Sequence, residues 1–398
     1  MTVNKTFKYR IYPTKEQEVL LARHFGAKRF TFNHFLDKSK TAYLESKKSL
    51  SYYDNAKSLT EMKHDEEFEW MKEINSQSLQ ASLRDLDAAY SRFFSKQGKF
   101  PRFKSRHDRQ SFRVPQNVYY AEGKLDIPKF KEPIKVAEDR PLSGTILFAT
   151  ISKSAAGKYF VAITCETEHI AMPKADGKVG VDLGLKDLAV LSNGKRYENI
   201  RTAKKHERRL AYEQRQLSKK SKGSESRRRQ KIRVAKIHEK ITNSRTDHIH
   251  KITTAIVREN QAICVESLSV ANMMKNHCLS KGIADVAWGE LLRQLKYKSE
   301  WNGRQFLTVD KFFPSSKTCN HCKFINQGLT LADRTWTCPK CGAELDRDLN
   351  ASRNILEQGL NDFHSGCGTQ SEPKQKRGEA LPLGKSMSPE TQGSLVLG

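Results

Sequence analysis

The sequence has no apolar run near the roughly 18 residues that a membrane-spanning helix needs, and its opening residues, MTVNK, lack the apolar core of a secretory signal. We therefore expect neither an integral membrane protein nor an ordinary secreted one. Acidic residues are few: 45 Asp and Glu accompany 71 Lys and Arg, which gives a formal net charge of +26. This excess indicates a polyanionic partner, most simply nucleic acid; the alternative is a basic surface that is merely solvated.

The hydrophobic fraction, 37%, is low for a compact chain, but 19 Phe, 12 Tyr and 4 Trp are too many for general disorder. At about 150 residues per domain, 398 residues predict two or three domains.

Four of the eight cysteines follow a metal-binding spacing: two CxxC pairs are separated by fifteen residues. The four are Cys319, Cys322, Cys338 and Cys341. Two such turns predict a zinc ribbon, in which four thiolates surround one Zn²⁺, with Trp336 as its apolar support. Disulfides fit poorly in a chain with no mark of export, and a thioredoxin-like CxxC would occur once. The remaining cysteines, Cys165, Cys264, Cys278 and Cys367, are interpreted as ordinary thiols.

The first half of the chain predicts a small β-barrel that is interrupted by a helical block. Alternating apolar residues at 7–11 indicate a strand, and Thr14 with Gln17 forms a capping box that opens a helix. Gly26 is expected to end this helix, and further helices are expected to continue to about residue 96. Residues 107–170 are β-rich and should supply the partners of the first strand.

Residues 97–106, QGKFPRFKSR, alternate cations with aromatic rings in a segment too rich in Gly and Pro to be helical. The cations would hold phosphates while the rings stack on bases. An inward packing of the rings with solvated charges explains this segment equally well.

The second half predicts an α/β domain with basic helices. Strands are expected at 179–185, 188–191, 261–266 and 306–309, with a hairpin turn at Asn193 and Gly194. Helices are expected over 202–259, with a break at 218–224, and again over 288–301 and from 346 onward.

Three carboxylates stand out in this half: Asp182 within an apolar strand between Gly180 and Gly184, Glu266 at a strand end, and Asp348 near a helix start. Each has an ordinary explanation, as a hairpin acid, a strand-end acid or a helix cap. Together they follow the order of RNase H-like nucleases, in which three carboxylates share two Mg²⁺ ions. Strand transferases of this fold usually place Glu last, so the order here favours hydrolysis.

The chain resembles the TnpB (OrfB) family, the RNA-guided endonucleases of bacterial and archaeal insertion sequences, which are related to compact type V CRISPR nucleases. The matching segments are residues 9–14 (YRIYPT), 180–186 (GVDLGLK), 265–268 (VESL), 288–290 (WGE), 312–319 (FFPSSKTC) and 346–351 (DRDLNA). Ser352 stands where the family more often has Ala.

The resemblance implies an α+β multidomain fold. Its parts are a β-barrel wedge domain (1–13 and 97–173), an inserted helical recognition domain (14–96), and a RuvC-type, RNase H-like nuclease domain (174–313 and 344–360) with a zinc-ribbon insertion (314–343). The tail (361–398) matches no family motif, and its composition, rich in Gly, Ser, Pro, Lys and Gln, predicts disorder. The resemblance also implies Asp182, Glu266 and Asp348 as catalytic Mg²⁺ ligands, Asp348 being chosen over Asp346 by its motif position.

The implied function is Mg²⁺-dependent cleavage of double-stranded DNA beside a short adjacent motif, by a cytoplasmic monomer that carries one guide RNA from the transposon end. A non-catalytic RNA-guided DNA-binding regulator and, less favoured, a DNA transposase are the alternatives.

Overall fold

A computed structural model describes residues 1–330 and 332–366. The described residues fold as two compact units: residues 1–174, 200–255 and 284–303 form the first, and residues 175–199, 256–283, 304–330 and 332–366 form the second. No helix in the described ranges combines the length and apolar character that crossing a bilayer requires.

The first unit is built on a seven-stranded antiparallel sheet. Its strands are β1 (Thr2–Tyr12), β2 (Gln110–Val114), β3 (Tyr119–Ala121), β4 (Lys124–Asp126), β5 (Ile134–Ala137), β6 (Thr145–Lys153) and β7 (Tyr159–Glu168). The order is β2-β6-β7-β1-β5-β4-β3, so the predicted pairing of β1 with the β-rich region is confirmed. Within the described residues β2 and β3 remain edges, and the sheet is a half-barrel, not the closed barrel we expected.

The helices of this unit begin with α1 (Lys15–Ser46), α2 (Tyr52–Met62), a 3₁₀ segment (Glu66–Glu73) and α3 (Ser76–Phe94). Thr14 and Gln17 form the predicted capping box. The expected break at Gly26 is wrong, since α1 runs through it. One glycine inside a helix costs about 1 kcal/mol, and burial of the neighbouring Phe25 and Phe32 outweighs that cost.

The basic helices are α4 (Thr202–Ser218) and α5 (Glu225–Glu259), and the predicted interruption between them is confirmed. Helix α8 (Trp288–Trp301) has the predicted bounds. Helices α5 and α7 (His277–Val286) each pass from one unit to the other.

The second unit contains a five-stranded mixed sheet of order β10-β9-β8-β11-β12. The strands are β8 (Gly177–Asp182), β9 (Asp187–Leu191), β10 (Arg196–Glu198), β11 (Asn260–Glu266) and β12 (Gln305–Val309). The turn between β9 and β10 contains Gly194 at φ 90°, as the Asn-Gly signal predicts. A two-stranded ribbon of β13 (Thr335–Thr337) and β14 (Glu344–Asp346) precedes α9 (Arg347–His364), and α6 (Val270–Met273) follows β11.

Helix α9 packs on β8, β11 and β12. It ends at His364, so the first residues of the predicted tail are helical; residues 367–398 of that tail lie outside the described residues.

Candidate metal centres

Asp182 and Glu266 lie side by side at the carboxyl ends of two parallel strands. Strands β8 and β11 pair in parallel with Val181 opposite Val265, so the next residues in both strands are the two acids. Adjacent strands lie about 4.8 Å apart, which places the two carboxylates at one edge of the sheet. The two acids are 84 positions apart in the sequence, and the strand pairing makes them neighbours.

Asp348 lies in the first turn of α9, and its neighbour Asp346 is the residue that caps the helix. The Asp346 carboxylate accepts a hydrogen bond from the Leu349 amide at 2.8 Å and pairs with Arg196 at 2.9 Å. The Asp346 carboxylate therefore caps the helix and pairs with Arg196. Asp348 is not the cap, which removes the ordinary explanation of this acid.

Gly180 sets the distance between α9 and β8. A Cβ at this position would overlap the carbonyl oxygen of Ser352 and lie 2.7 Å from the amide nitrogen of Leu356. The absence of a side chain at Gly180 therefore lets the α9 backbone rest directly on the strand. Ser352 is fully buried at this contact, where a small side chain is required.

The pKa of Asp182 depends on the two neighbouring acids as well as on its own burial. Burial, and then the charges of Asp348 and Glu266, raise the pKa of Asp182 to about 7. Burial also raises the pKa of Glu266. The Asp348 carboxylate lies 3.4 Å from Arg347 and 3.7 Å from Arg334. Asp182, Glu266 and Asp348 are each partly exposed, and Arg347 offsets part of the repulsion at Asp182. A divalent cation between the acids would relieve the remaining repulsion.

The four cysteines form a tighter cluster. Their sulfur atoms all lie within 4.8 Å of one another, and within residues 1–330 and 332–366 they are the sole group of three or more potential ligands to do so. The Sγ atoms of Cys319 and Cys341 are 3.7 Å apart, and those of Cys322 and Cys338 are 3.6 Å apart. A tetrahedral Zn²⁺ with Zn–S bonds of about 2.3 Å requires sulfur separations of about 3.8 Å, so the cluster fits zinc binding.

Each CxxC pair is closed by the same backbone turn. The Lys323 amide donates to the Cys319 carbonyl at 2.9 Å, and the Gly342 amide donates to the Cys338 carbonyl at 2.8 Å. Both turn residues are left-handed, with φ 61° at Lys323 and φ 69° at Gly342. Trp336 is buried in the small core of the ribbon, as we predicted.

Two asparagines of α9, which sequence reasoning missed, fasten the first CxxC turn to the helix that carries Asp348. Asn350 Nδ2 donates to the Thr318 carbonyl at 2.7 Å, and its Oδ1 accepts from the Asn320 amide at 2.9 Å. Asn354 Nδ2 donates to the same Thr318 carbonyl at 2.6 Å and to the Ser315 carbonyl at 2.9 Å. Both side chains are 2% exposed. The available signal was their i, i+4 spacing, which places both side chains on one face of α9.

The architecture resembles one solved structure over most of its length. The chain aligns with the protein of the structure titled "Cryo-EM structure of the Cas12f1-sgRNA-target DNA complex" at a TM-score of 0.52 and 13% identity, covering 89% of this chain and 99% of that one. At this identity the likeness defines the fold alone: the chain has a Cas12f1-like α+β fold.

Sequence comparison gives the family. The model described as "Probable transposase" (OrfB_IS605) matches residues 162–277, "Cas12f1-like, TNB domain" matches 288–355 and "Helix-turn-helix domain" (HTH_OrfB_IS605) matches 1–48. A "Putative RNA-guided DNA endonuclease" of Streptomyces pristinaespiralis is 39% identical over 94% of this chain and 93% of its own length. "Putative RNA-guided DNA endonuclease InsQ" of Escherichia coli K12 is 34% identical over 89% and 92%. The chain belongs to the TnpB (OrfB) family.

Proposed function

We propose that the protein is an RNA-guided endonuclease that cuts double-stranded DNA beside a short adjacent motif. The names of its relatives support the RNA-guided reaction, and the net charge of +26 suits two nucleic-acid partners. The single observation that carries the nuclease assignment is the convergence of Asp182, Glu266 and Asp348 from two adjacent strands and one helix.

In this proposal Asp182, Glu266 and Asp348 would hold two Mg²⁺ ions, whose chemistry would be to polarise a phosphodiester and to acidify an attacking water. The strand register holds Asp182 and Glu266 in place, and the contact at Gly180 holds α9 so that Asp348 approaches them. Arg334 and Arg347 lie against Asp348 and would bring positive charge toward a phosphate bound at the carboxylates. The four cysteines hold a structural Zn²⁺ in the ribbon.

The wedge, recognition, nuclease and ribbon boundaries predicted from the sequence belong to the same proposal, as does a monomer with one guide RNA. Residues 1–13 and 97–173 contain the strands of the half-barrel, and residues 14–96 contain α1 to α3, which supports the division of the first part of the chain.

The test is cleavage of a plasmid with purified protein, Mg²⁺ and a guide RNA taken from the nucleotides just downstream of the gene. We expect cutting only of a target that pairs with the guide, and none with Asp182→Asn, Glu266→Gln or Asp348→Asn. Asp346→Asn is the matched control, because it makes the same change of charge two positions from the proposed ligand Asp348 and keeps a side chain that caps the helix.

The alternatives give different results in the same experiment. Guided binding to the target without cutting by the unmodified protein would establish the regulator, and joining of element ends to a target would establish a transposase. Equal cutting by Asp182→Asn would refute the site assignment while leaving the guided reaction intact.

A further inference from the structure

In residues 97–106 the ring of Phe100 and the cations Lys99, Arg102 and Lys104 line two different cavities. The segment has no helix or strand over 97–105, and the side chain of Asn33 on α1 fixes it: the Lys104 amide donates to Asn33 Oδ1 at 2.7 Å, and Asn33 Nδ2 donates to the Lys104 carbonyl at 2.9 Å. The segment is thus anchored to α1, and this anchor fixes the direction in which each of its side chains points.

Phe100 of this segment lines an apolar groove of about 580 Å³ between the C-terminal turns of α1 and α3. Phe100 lies edge-on to Tyr90 and Phe93 at centroid distances of 5.8 and 5.3 Å. Large apolar side chains in the groove remain open to solvent: Leu44 is 71% exposed and Phe94 is 70% exposed. Contiguous exposed apolar surface of this kind marks a binding site.

The cations of the segment face a second cavity of about 660 Å³ in the same unit, which Lys99, Arg102 and Lys104 line together with Arg29 of α1 and Arg92 of α3. The ten residues from 97 to 106 contain four Lys or Arg and no acid. Lys40 lies 5.2 Å from the ring centroid of Phe103, which places a further cation beside the groove.

These two surfaces, joined by one short segment, fit a ligand that is anionic along its backbone and apolar on its flat faces. An apolar peptide or a second copy of the chain would match the groove and leave the cationic cavity unexplained. A duplex would match the cations and leave the rings unused, because its bases are already stacked. An unpaired nucleic-acid strand matches both.

We propose that the groove lined by Tyr43, Leu44, Tyr90, Phe93, Phe94 and Phe100 binds unpaired bases of a single-stranded nucleic acid, and that the adjacent cationic cavity binds its phosphates. The proposal deepens the nuclease function, on which it rests for the source of the strand, because both a guide RNA and an opened target expose unpaired nucleotides.

The test uses the full chain without guide RNA or Mg²⁺, so its outcome is independent of cleavage. The probes are fluorescein-labelled oligomers of thymidine and of uridine about 12 nucleotides long, and anisotropy gives the dissociation constant at several salt concentrations. Tyr53→Ala is the matched control, because Tyr53 is 77% exposed on α2 and is outside the groove.

We expect Phe94→Ala and Phe100→Ala each to weaken binding by about 5- to 150-fold for each base lost from the groove, with the slope of log affinity against log salt unchanged. Arg102→Gln should instead reduce that slope by about 1. An abasic probe should bind the unmodified protein more weakly, and Phe94→Ala should then have no further effect. Tighter binding of uridine assigns the strand to RNA, and tighter binding of thymidine assigns it to DNA.

The proposal is overturned if both Phe variants bind the strands as Tyr53→Ala does. It is also overturned if Phe94→Ala changes the sedimentation of the free protein while strand affinity stays constant, since the groove would then bind a second copy. Equal losses of affinity for a duplex and for a single strand would likewise overturn it, because unpaired bases would not be the feature recognised.

Discussion

The carbonyl oxygen of Thr318 should couple the two asparagines of α9 in a way that a double-mutant cycle can measure. This oxygen accepts one hydrogen bond from Asn350 and one from Asn354. Asn350→Ala leaves it the second donor, and Asn354→Ala leaves it the first. Only the double variant removes both donors from this buried acceptor.

The magnitudes follow from the groups that lose their partners. Asn350→Ala leaves the Asn320 amide without its acceptor, and Asn354→Ala leaves the Ser315 carbonyl without that donor. A buried polar group that loses its partner costs about 1–3 kcal/mol. The double variant adds the Thr318 carbonyl to these losses, so it should exceed the sum of the single effects by about a further 1–3 kcal/mol.

Zinc affinity is the appropriate measurement, because binding of a structural zinc is linked to folding of the ribbon against α9. Competition with a chromophoric chelator should show each single variant about 5- to 150-fold weaker and the double variant weaker than the product of the two. Arg353→Ala, an exposed change between the two asparagines, should keep the affinity of the unmodified protein. Strictly additive effects would refute the shared acceptor, and unchanged affinity in all variants would refute the fastening of the ribbon to the helix.

Three further predictions concern backbone and buried groups. Gly342→Ala should weaken zinc affinity in the same assay, because a left-handed backbone costs an L-residue about 1–2 kcal/mol; unchanged affinity would contradict the turn geometry. Gly180→Ala should abolish guided cleavage and lower the melting temperature, because its Cβ meets the α9 backbone. Gly26→Ala, with no atom within 4 Å of its Cβ, should raise the melting temperature. Equal changes of melting temperature in the two variants would contradict this difference. Burial lowers the pKa of His24 below its ordinary 6.5, and the neutral ring forms hydrogen bonds with the Leu20 carbonyl and the Asn75 amide. As the pH falls, His24 therefore takes up a proton in the unfolded chain before it does so in the folded protein. The free energy of unfolding should consequently fall as the pH drops below about 6.5. His24→Phe should flatten that part of the pH dependence of chemical denaturation, and an unchanged profile would contradict the assignment.

Local patterns in the sequence were sufficient where one segment determines its own structure. The capping box at Thr14, the turn at Gly194 and the start of α8 at Trp288 depend on neighbouring residues and were predicted. Gly26 failed because its cost of about 1 kcal/mol is small beside the burial of the aromatic residues around it. The half-barrel differs from the predicted barrel because closure depends on strand lengths and tilts that apolar alternation does not encode.

In the candidate metal centres, too, features set by one segment were predictable and features set by distant segments were not. The cysteine cluster was predictable because spacing alone restricts how four thiolates meet. The acids were predictable as a set only through their order along the chain, because the register that places Glu266 beside Asp182 joins distant segments. The roles of Gly180 and Asn350 were hidden, since each depends on an atom of another element: the Ser352 carbonyl for the first and the Thr318 carbonyl for the second.

The number of residues in helix α9 is fixed by its contacts with the sheet. Gly359 lies against β11, where a Cβ would be 2.7 Å from the sulfur of Cys264. Because a helix turns by about 100° per residue, one residue inserted between Asn350 and Gly359 would rotate this glycine away from the strand and present a larger side chain in its place. Residues 326–330, between the two CxxC pairs, lie in no helix or strand, so related sequences should gain and lose residues there and keep the number from Asp348 to Gly359 fixed.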